Sequence, residues 1–213
     1  MLVPIRWLRD YLEIDVPTHD LAARLNDSGV EVSSVSTVGA DWEPDKILVG
    51  QITRIDPHSN AERLTLPTVN FGEGELQIVT GASNIRVGDK VAFALEGASL
   101  VDPRKSDGSL MKLESASIRG VVSRGMVCSA LELGLSDEHE GILILPEGAP
   151  VGAPLVDFMG GDVIELDLKP HRADCLSMLG VARQVAALCD RPFTEPDYGD
   201  RIEDRSVLSD RKI

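Results

Sequence analysis

Ile47-Leu48-Val49-Gly50-Gln51-Ile52-Thr53-Arg54-Ile55 is the run whose reading decides the fold. Its aliphatic and β-branched residues predict a strand. Similar short apolar runs follow at residues 64–69, 76–80, 90–95, 126–129 and 142–145. Pro57, Gly72-Glu73-Gly74, Gly81, Gly88-Asp89 and Gly97 stand between them, and such residues favour turns. Short strands at near-regular spacing predict a small sandwich or barrel. The roughly 110 residues available fit a five-stranded barrel with an extra hairpin.

Outside this region the pattern is helical. Ile5, Leu8, Tyr11 and Leu12 recur at three- and four-residue steps and predict one helix face. Pro17 and Thr18 open a second helix, with Thr18 as its cap, Leu21, Ala22 and Leu25 as its stripe and Gly29 as its stop. Val30, Val32 and Val35 mark an extended exit. After Pro150, Val163-Ile164-Glu165-Leu166-Asp167-Leu168 alternates strictly, so Ile164, Leu166 and Leu168 share one face. Asp174 is placed to cap a third helix whose apolar face carries Leu176, Leu179, Ala182, Val185, Ala186 and Cys189. Neither end buries much alone. The expected fold class is therefore α+β: a β-barrel at residues 40–151, inserted into a small discontinuous helical domain at 1–39 and 152–191, with a polar tail at 192–213. Such an insertion is workable because domain termini often lie close together.

Composition narrows the function. The chain has 213 residues, 43% of them hydrophobic and only 4% aromatic, so its core is built mainly from Val, Leu, Ile and Ala. Thirty-five acids against 21 bases give a net charge of −14, which opposes nucleic-acid binding by bulk attraction but allows a local basic patch. No apolar stretch approaches the ~20 residues of a membrane span. Charge interrupts the first ten residues too early for a secretory signal. Cys128, Cys175 and Cys189 form no Cys-x-x-Cys pair, which argues against a disulfide scaffold or structural zinc and fits a reducing cytoplasm. Cys128 and Cys175 read as packing thiols, Asp174 and Ser177 as helix-start residues, and Asp137-Glu138-His139-Glu140 as a solvated acidic loop. No phosphate-cradling or nucleophile-elbow motif is present. The chain is thus expected to hold no catalytic residue and no metal.

Three segments carry the most specific pattern. They are His58-Ser59-Asn60-Ala61-Glu62-Arg63-Leu64, Gln77-Ile78-Val79-Thr80-Gly81-Ala82-Ser83-Asn84-Ile85, and Ser117-Ile118-Arg119-Gly120-Val121-Val122-Ser123-Arg124-Gly125-Met126-Val127-Cys128-Ser129. Gly120 and Gly125 allow unusual backbone angles or close approach, and Arg119 and Arg124 have phosphate-reaching chemistry on such turns. On spacing alone, glycines that merely shape a barrel corner explain the pattern as well. In order and spacing, however, these segments resemble the tRNA-binding OB-fold domain. That domain occurs in bacterial phenylalanine–tRNA ligase beta subunits, methionyl-tRNA synthetase extensions and free-standing tRNA-binding proteins. The flanks resemble the first of these: Pro4-Ile5-Arg6-Trp7-Leu8, Cys128-Ser129-Ala130-Leu131-Glu132-Leu133-Gly134-Leu135, Gly141-Ile142-Leu143-Ile144-Leu145-Pro146 and Pro170-His171-Arg172-Ala173-Asp174-Cys175-Leu176-Ser177. The resemblance spans about residues 1–192. Arg124, His171 and Glu62-Arg63 depart from it, standing where those proteins commonly have Glu, Asn and Asp-Lys, and a Lys is missing near Ser115 or Ser117.

The resemblance implies a ligase that joins phenylalanine to tRNA(Phe) with ATP and magnesium, built from two alpha and two beta subunits. Synthesis belongs to the alpha subunit. This chain would then supply tRNA contact and structural support, need no cofactor itself, and continue into an editing domain. A free-standing tRNA-binding or chaperone-like protein, or an interaction module without RNA, are the alternatives; DNA and membranes are not expected partners. Ten bases against seventeen acids make residues 39–152 net −7, whereas residues 104–124 are net +3. The candidate RNA-facing residues are Arg104, Lys105, Lys112, Arg119 and Arg124, with Arg63 and Asn84. His58, Asn60, Gly81, Gly120, Gly125, Arg172 and Asp174 are the candidate structural positions. Phe71, Phe93 and Trp42 are the few aromatics available in the region for base stacking.

Overall fold

The computed structural model describes residues 1–105, 107–137 and 141–195. In chain order the elements are β1 (Leu2–Pro4), α1 (Ile5–Leu8), α2 (Thr18–Asp27), β2 (Glu31–Val38), β3 (Ile47–Pro57), β4 (Thr65–Asn70), β5 (Glu75–Gln77), β6 (Lys90–Leu95), β7 (Ser99–Val101), β8 (Leu110–Lys112), β9 (Ala116–Ile118) and β10 (Val121–Ser123). Then come β11 (Gly125–Val127), β12 (Ile144–Leu145), α3 (Leu155–Met159), β13 (Gly161–Asp167), a 3-10 segment at Pro170–Cys175 and α4 (Met178–Cys189). They separate into two units: Thr37–Gly161, and Met1–Ser36 with the described residues from Asp162 onward.

In the Thr37–Gly161 unit, β6 pairs with β3 along one edge. Its other edge is shared by β12, opposite Lys90 and Val91, and β11, opposite Phe93 to Leu95. β3 bends at a register shift between Ile52 and Arg54 and continues into pairing with β4, which pairs β5. The antiparallel order β11-β6-β3-β4-β5 curls into a half-barrel. Alternation puts Val91 and Phe93 in one core with Ile52, Val69 and Ile78, and Ala92 and Ala94 in another with Ile47, Val49 and Leu100. Two glycines admit the Phe93 ring region. A Cβ on Gly125 would stand 2.8 Å from Phe93 Cζ, and one on Gly50 would stand 2.5 Å from Val69 Cγ1 and 3.0 Å from Phe93 Cβ.

Several expected bounds move for identifiable reasons. β5 ends at Gln77 rather than residue 80, although the same register resumes at a Thr65–Thr80 bridge. Pro67 causes the break: its carbonyl accepts from Ile78 N–H, but it has no N–H to return the bond. Residues 99–123 form two hairpins, β7–β8 and β9–β10, where one extra hairpin is expected. The unit also runs to Gly161 rather than 151, because Leu155, Val156, Phe158 and Met159 of α3 pack into its second core.

The other unit holds a three-stranded sheet, β1-β13-β2, beside α2 and α4. Ile164 and Leu166 of β13 enter its core with Leu8, Leu21, Leu25, Val181 and Val185. The expected first helix shrinks to one turn preceded by a strand, since after Leu8 the chain closes tight turns through Asp10 N–H to Trp7 O and Tyr11 N–H to Leu8 O. Thr18 does not cap α2; Pro17 holds that place and the Thr18 hydroxyl donates to Asp162. Asp174 does not cap α4 either, because Ser177 Oγ accepts from Gly180 N–H and Asp174 pairs with Arg172. Leu176, expected on the apolar face, is 66% exposed. It precedes the helix and so escapes its periodicity. The polar tail from 196 onward lies outside the described residues.

Filling the space beside Phe93 should be costly. Gly125→Ala is expected to lower unfolding stability by about 2 kcal/mol. Gly148→Ala, where an added Cβ meets nothing within 4 Å, should change it by under about 0.5 kcal/mol. Urea midpoints of the two variants provide the comparison.

Candidate nucleic-acid interface

The half-barrel brings three distant stretches into contact. The β3–β4 ladder extends past Pro57 through His58 N–H to Leu64 O, closing a loop over residues 59–63. His58 is buried at the foot of that loop. Its Nδ1 accepts from Asn60 N–H at 3.0 Å, and its Nε2 donates to Ile118 O, 3.2 Å away, at the end of β9. Asn60 Nδ2 also reaches Arg119 O at 3.5 Å. From the other side, buried Ser123 accepts Val79 N–H at 3.2 Å and donates to Gly125 O at 3.0 Å. Thus β10 is pinned to the strand that continues β5, while the β9 end is pinned to the loop.

The turn of this hairpin is two residues long, since Ile118 and Val121 are paired. Arg119 has φ +51° and Gly120 has φ +93°, so both central residues are left-handed, the geometry that favours Asn-Gly in a type I′ turn. An arginine here bears roughly 1 kcal/mol of backbone strain. Arg119 is exposed, as are Arg63 in the contacting loop and Arg124 beyond β10, and among the described residues none of the three is ion-paired.

The remaining candidates lie elsewhere or have other duties. Arg104 and Lys105 are exposed in the β7–β8 connection, where Asp102 Oδ1 accepts Arg104 N–H and Asp102 O accepts Lys105 N–H. Lys112 does not stand free: Nζ lies 2.6 Å from both Glu43 Oε1 and Ser99 Oγ. Burial opposes ionisation of Glu43, but hydrogen bonds from Lys112 and from the Ser99 N–H and hydroxyl outweigh it and lower the carboxyl from 4.5 to about 2. Asn84 uses both ends of its amide on the Ile142 backbone, at 2.9 and 3.0 Å. A Cβ added at Gly81 would meet Leu64 Cδ2 at an ordinary 3.6 Å, so space does not require glycine there. Arg172 donates to Asp174, to Gln184 Oε1 at 2.9 Å and to Ser28 O at 3.4 Å, and its guanidinium holds Asp174 down at about 2. It ties together its own unit.

Two of the three aromatics considered for stacking are core residues. Phe93 is fully buried, and Trp42 is buried with Nε1 donating to Leu133 O. Phe71 is partly buried and tilted against Phe93. Burial drives the Cys128 thiol far above its ordinary range and also raises Cys175. Neither thiol has the depressed pKa of a nucleophile. Among the described residues, no three His, Cys, Asp or Glu side chains are grouped to hold a metal, and no helix is long and apolar enough to cross a membrane. Glu138, His139 and Glu140 lie outside the described residues.

Residues 47–154, the half-barrel with its hairpins, match the family model "Putative tRNA binding domain". The chain belongs to this tRNA-binding family. It is also similar over nearly its whole length to curated phenylalanine–tRNA ligase beta subunits. The one from Dehalococcoides mccartyi is 44% identical over 210 residues, covering 96% of this chain and 26% of that protein. Those of Ralstonia nicotianae, 44% identical over 199 residues, and Geobacter sulfurreducens, 42% identical over 200, cover 92% and 93% of this chain and 24% of their own. The chain spans about a quarter of the length of these relatives.

The Lys112–Glu43 pair of this tRNA-binding family member supplies a pH test. An unfolded Glu43 titrates near 4.5 and the folded one near 2, so the clamp contributes fully above pH 4.5 and is lost as pH falls toward 2. Screening at the exposed Lys112 limits this to about 1 kcal/mol. Glu43→Gln should therefore cost that much at pH 6 and progressively less as pH falls below 4.5 toward 2, read from urea midpoints. A cost that does not change with pH would contradict the assignment.

Proposed function

We propose that this chain is the part of a phenylalanine–tRNA ligase beta subunit that contacts transfer RNA and braces the assembly. It carries no bond-making step. Arg63, Arg119 and Arg124 are the phosphate-facing group, and Arg104 and Lys105 form a second, separate contact. On this reading the half-barrel is an OB barrel inserted into the other unit. In the order β11-β6-β3-β4-β5 the open edges are β5 and β11, and the Val79–Ser123 hydrogen bond begins to bridge them. The partners are an alpha subunit and tRNA(Phe), in the cytoplasm. ATP and magnesium serve the synthetic site of the alpha subunit.

The observation that carries the proposal is the arginine at a left-handed turn position, unpaired and exposed, on a hairpin fastened to the matched domain. Strain retained at a position where Asn is more stable points to a role for the side chain. A second reading, an interaction module without RNA, is favoured by the acidic charge and by the burial of Phe93 and Trp42.

Two measurements separate these readings. Arg119→Asn is expected to raise unfolding stability by about 0.5–1 kcal/mol while weakening retention of transfer RNA. The combined R63E/R119E/R124E variant should lose at least about tenfold in filter retention and flatten the logarithmic salt slope by about 2–3, given ~0.7–0.9 per phosphate contact. Absence of retention by the unaltered chain at 50 mM salt would support the interaction module and overturn the RNA reading.

A further inference from the structure

His58 is the feature that the proposed function leaves unused. It is one of four histidines in the chain; His19 and His171 are exposed, whereas His58 is buried. Its two ring nitrogens have fixed and opposite duties. A backbone N–H faces Nδ1, so Nδ1 must be an unprotonated acceptor. A backbone carbonyl faces Nε2, so Nε2 must carry the proton. Only the neutral Nε2–H tautomer satisfies both. An imidazolium would set a second N–H against Asn60 N–H.

The surroundings offer that extra charge no compensation. Asp56, at the end of β3, is engaged by Arg54 at 2.8 Å and by Gln77. Glu62 and Arg63 on the loop are exposed, as is Arg119 on the hairpin turn, and Arg124 follows β10. Thr65 at the start of β4 is neutral. Among the described residues no carboxylate is hydrogen-bonded to the imidazole.

We infer that His58 is a positioning residue: its neutral imidazole latches the β9–β10 hairpin, and hence Arg119, to the loop over residues 58–64, and uptake of a solvent proton at Nδ1 opens the latch and weakens retention of RNA. The hairpin depends on this latch because its residues bury little. Ala116 and Ser117 are exposed, and Val122 is 55% exposed. The inference rests on the proposed RNA-facing role for its second half only.

The direction is diagnostic. Acidification adds positive charge, which by Coulomb attraction alone strengthens RNA binding. The latch requires the opposite between pH 8 and pH 5.5. Filter retention of transfer RNA by the chain should fall about fivefold over that range, the effect of one lost hydrogen bond. His58→Gln, whose amide can still donate to Ile118 O and does not titrate, should show a flat or slightly rising profile. A wild-type profile that rises on acidification, or a fall that persists in His58→Gln, would overturn the RNA half.

The latch itself has a readout that needs neither RNA nor a variant. In 15N-histidine-labelled chain the His58 ring shifts should report the Nε2–H tautomer at pH 8. Backbone 15N relaxation across residues 116–123 should show rising flexibility toward pH 5.5. The Nδ1–H tautomer at pH 8, or unchanged relaxation on protonation, would refute the latch. If RNA retention is absent at every pH while these signals change as expected, the latch stands and the RNA role proposed above fails.

Discussion

Burial of β6 on both faces is the constraint on which the Thr37–Gly161 unit depends. Val91, Ala92, Phe93 and Ala94 are all fully buried, so neither face of the strand reaches water. A strand in that position must be flanked on both edges to satisfy its backbone. β3 supplies one edge along most of its length, whereas the other is divided between β12 and β11, which are distant in the chain. The Asn84 amide helps deliver β12, by fixing the Ile142 backbone just before it. Size matters as much as pairing. Alanines face the second core, and the one large ring, Phe93, is admitted because Gly50 and Gly125 present no Cβ to it.

What was legible in the sequence was whatever announced itself by apolar periodicity. The sequence pattern marks β6 at residues 90–95, its observed bounds, and α2 by its stripe Leu21, Ala22 and Leu25, because these segments owe their place to burial. The hairpins β7–β8 and β9–β10 were poorly legible for the opposite reason. Their strands are three residues long, half exposed and held by backbone pairing and by polar side chains far away in sequence. The expected cap, Asp174, is instead taken by Arg172 two residues before it, which leaves Ser177 to cap α4. Lys112 illustrates the limit of charge counting. It contributes to a basic window in sequence, but Glu43, 69 residues away, neutralises it in space. The segments 58–64, 77–85 and 117–129 were legible as a set, but not the contacts that unite them.

An acidic body also need not conflict with an RNA-facing role. Phosphate attraction is felt over about a Debye length, roughly 10 Å at 0.1 M salt, so local charge decides contact while net charge moderates the rate of encounter. Among the described residues Arg63, Arg119 and Arg124 project from mutually touching segments without carboxylate partners, whereas Asp56 and Glu43 are paired with Arg54 and Lys112. With Phe93 and Trp42 in the core, base stacking has little to work with. Recognition by this unit would be dominated by backbone charge, which is tolerant of sequence and sensitive to salt.

The manner in which the β9–β10 hairpin is held follows from the same logic. A surface that must stay hydrated and cationic cannot be anchored by a large apolar face, since that face would have to be buried elsewhere. Directional hydrogen bonds from buried polar groups are the remaining means, and the structure uses Ser123 on one strand and His58 on the other. Such bonds contribute only about 1 kcal/mol each, but leaving their buried partners unsatisfied costs more. The hairpin is therefore positioned more sharply than its small contact area suggests. It is also vulnerable to any change in the protonation of its anchors. Serine has none to change within the physiological range; histidine does. The choice of residue at position 58 makes the placement of Arg119 conditional on pH, in a way that an amide at the same position would not.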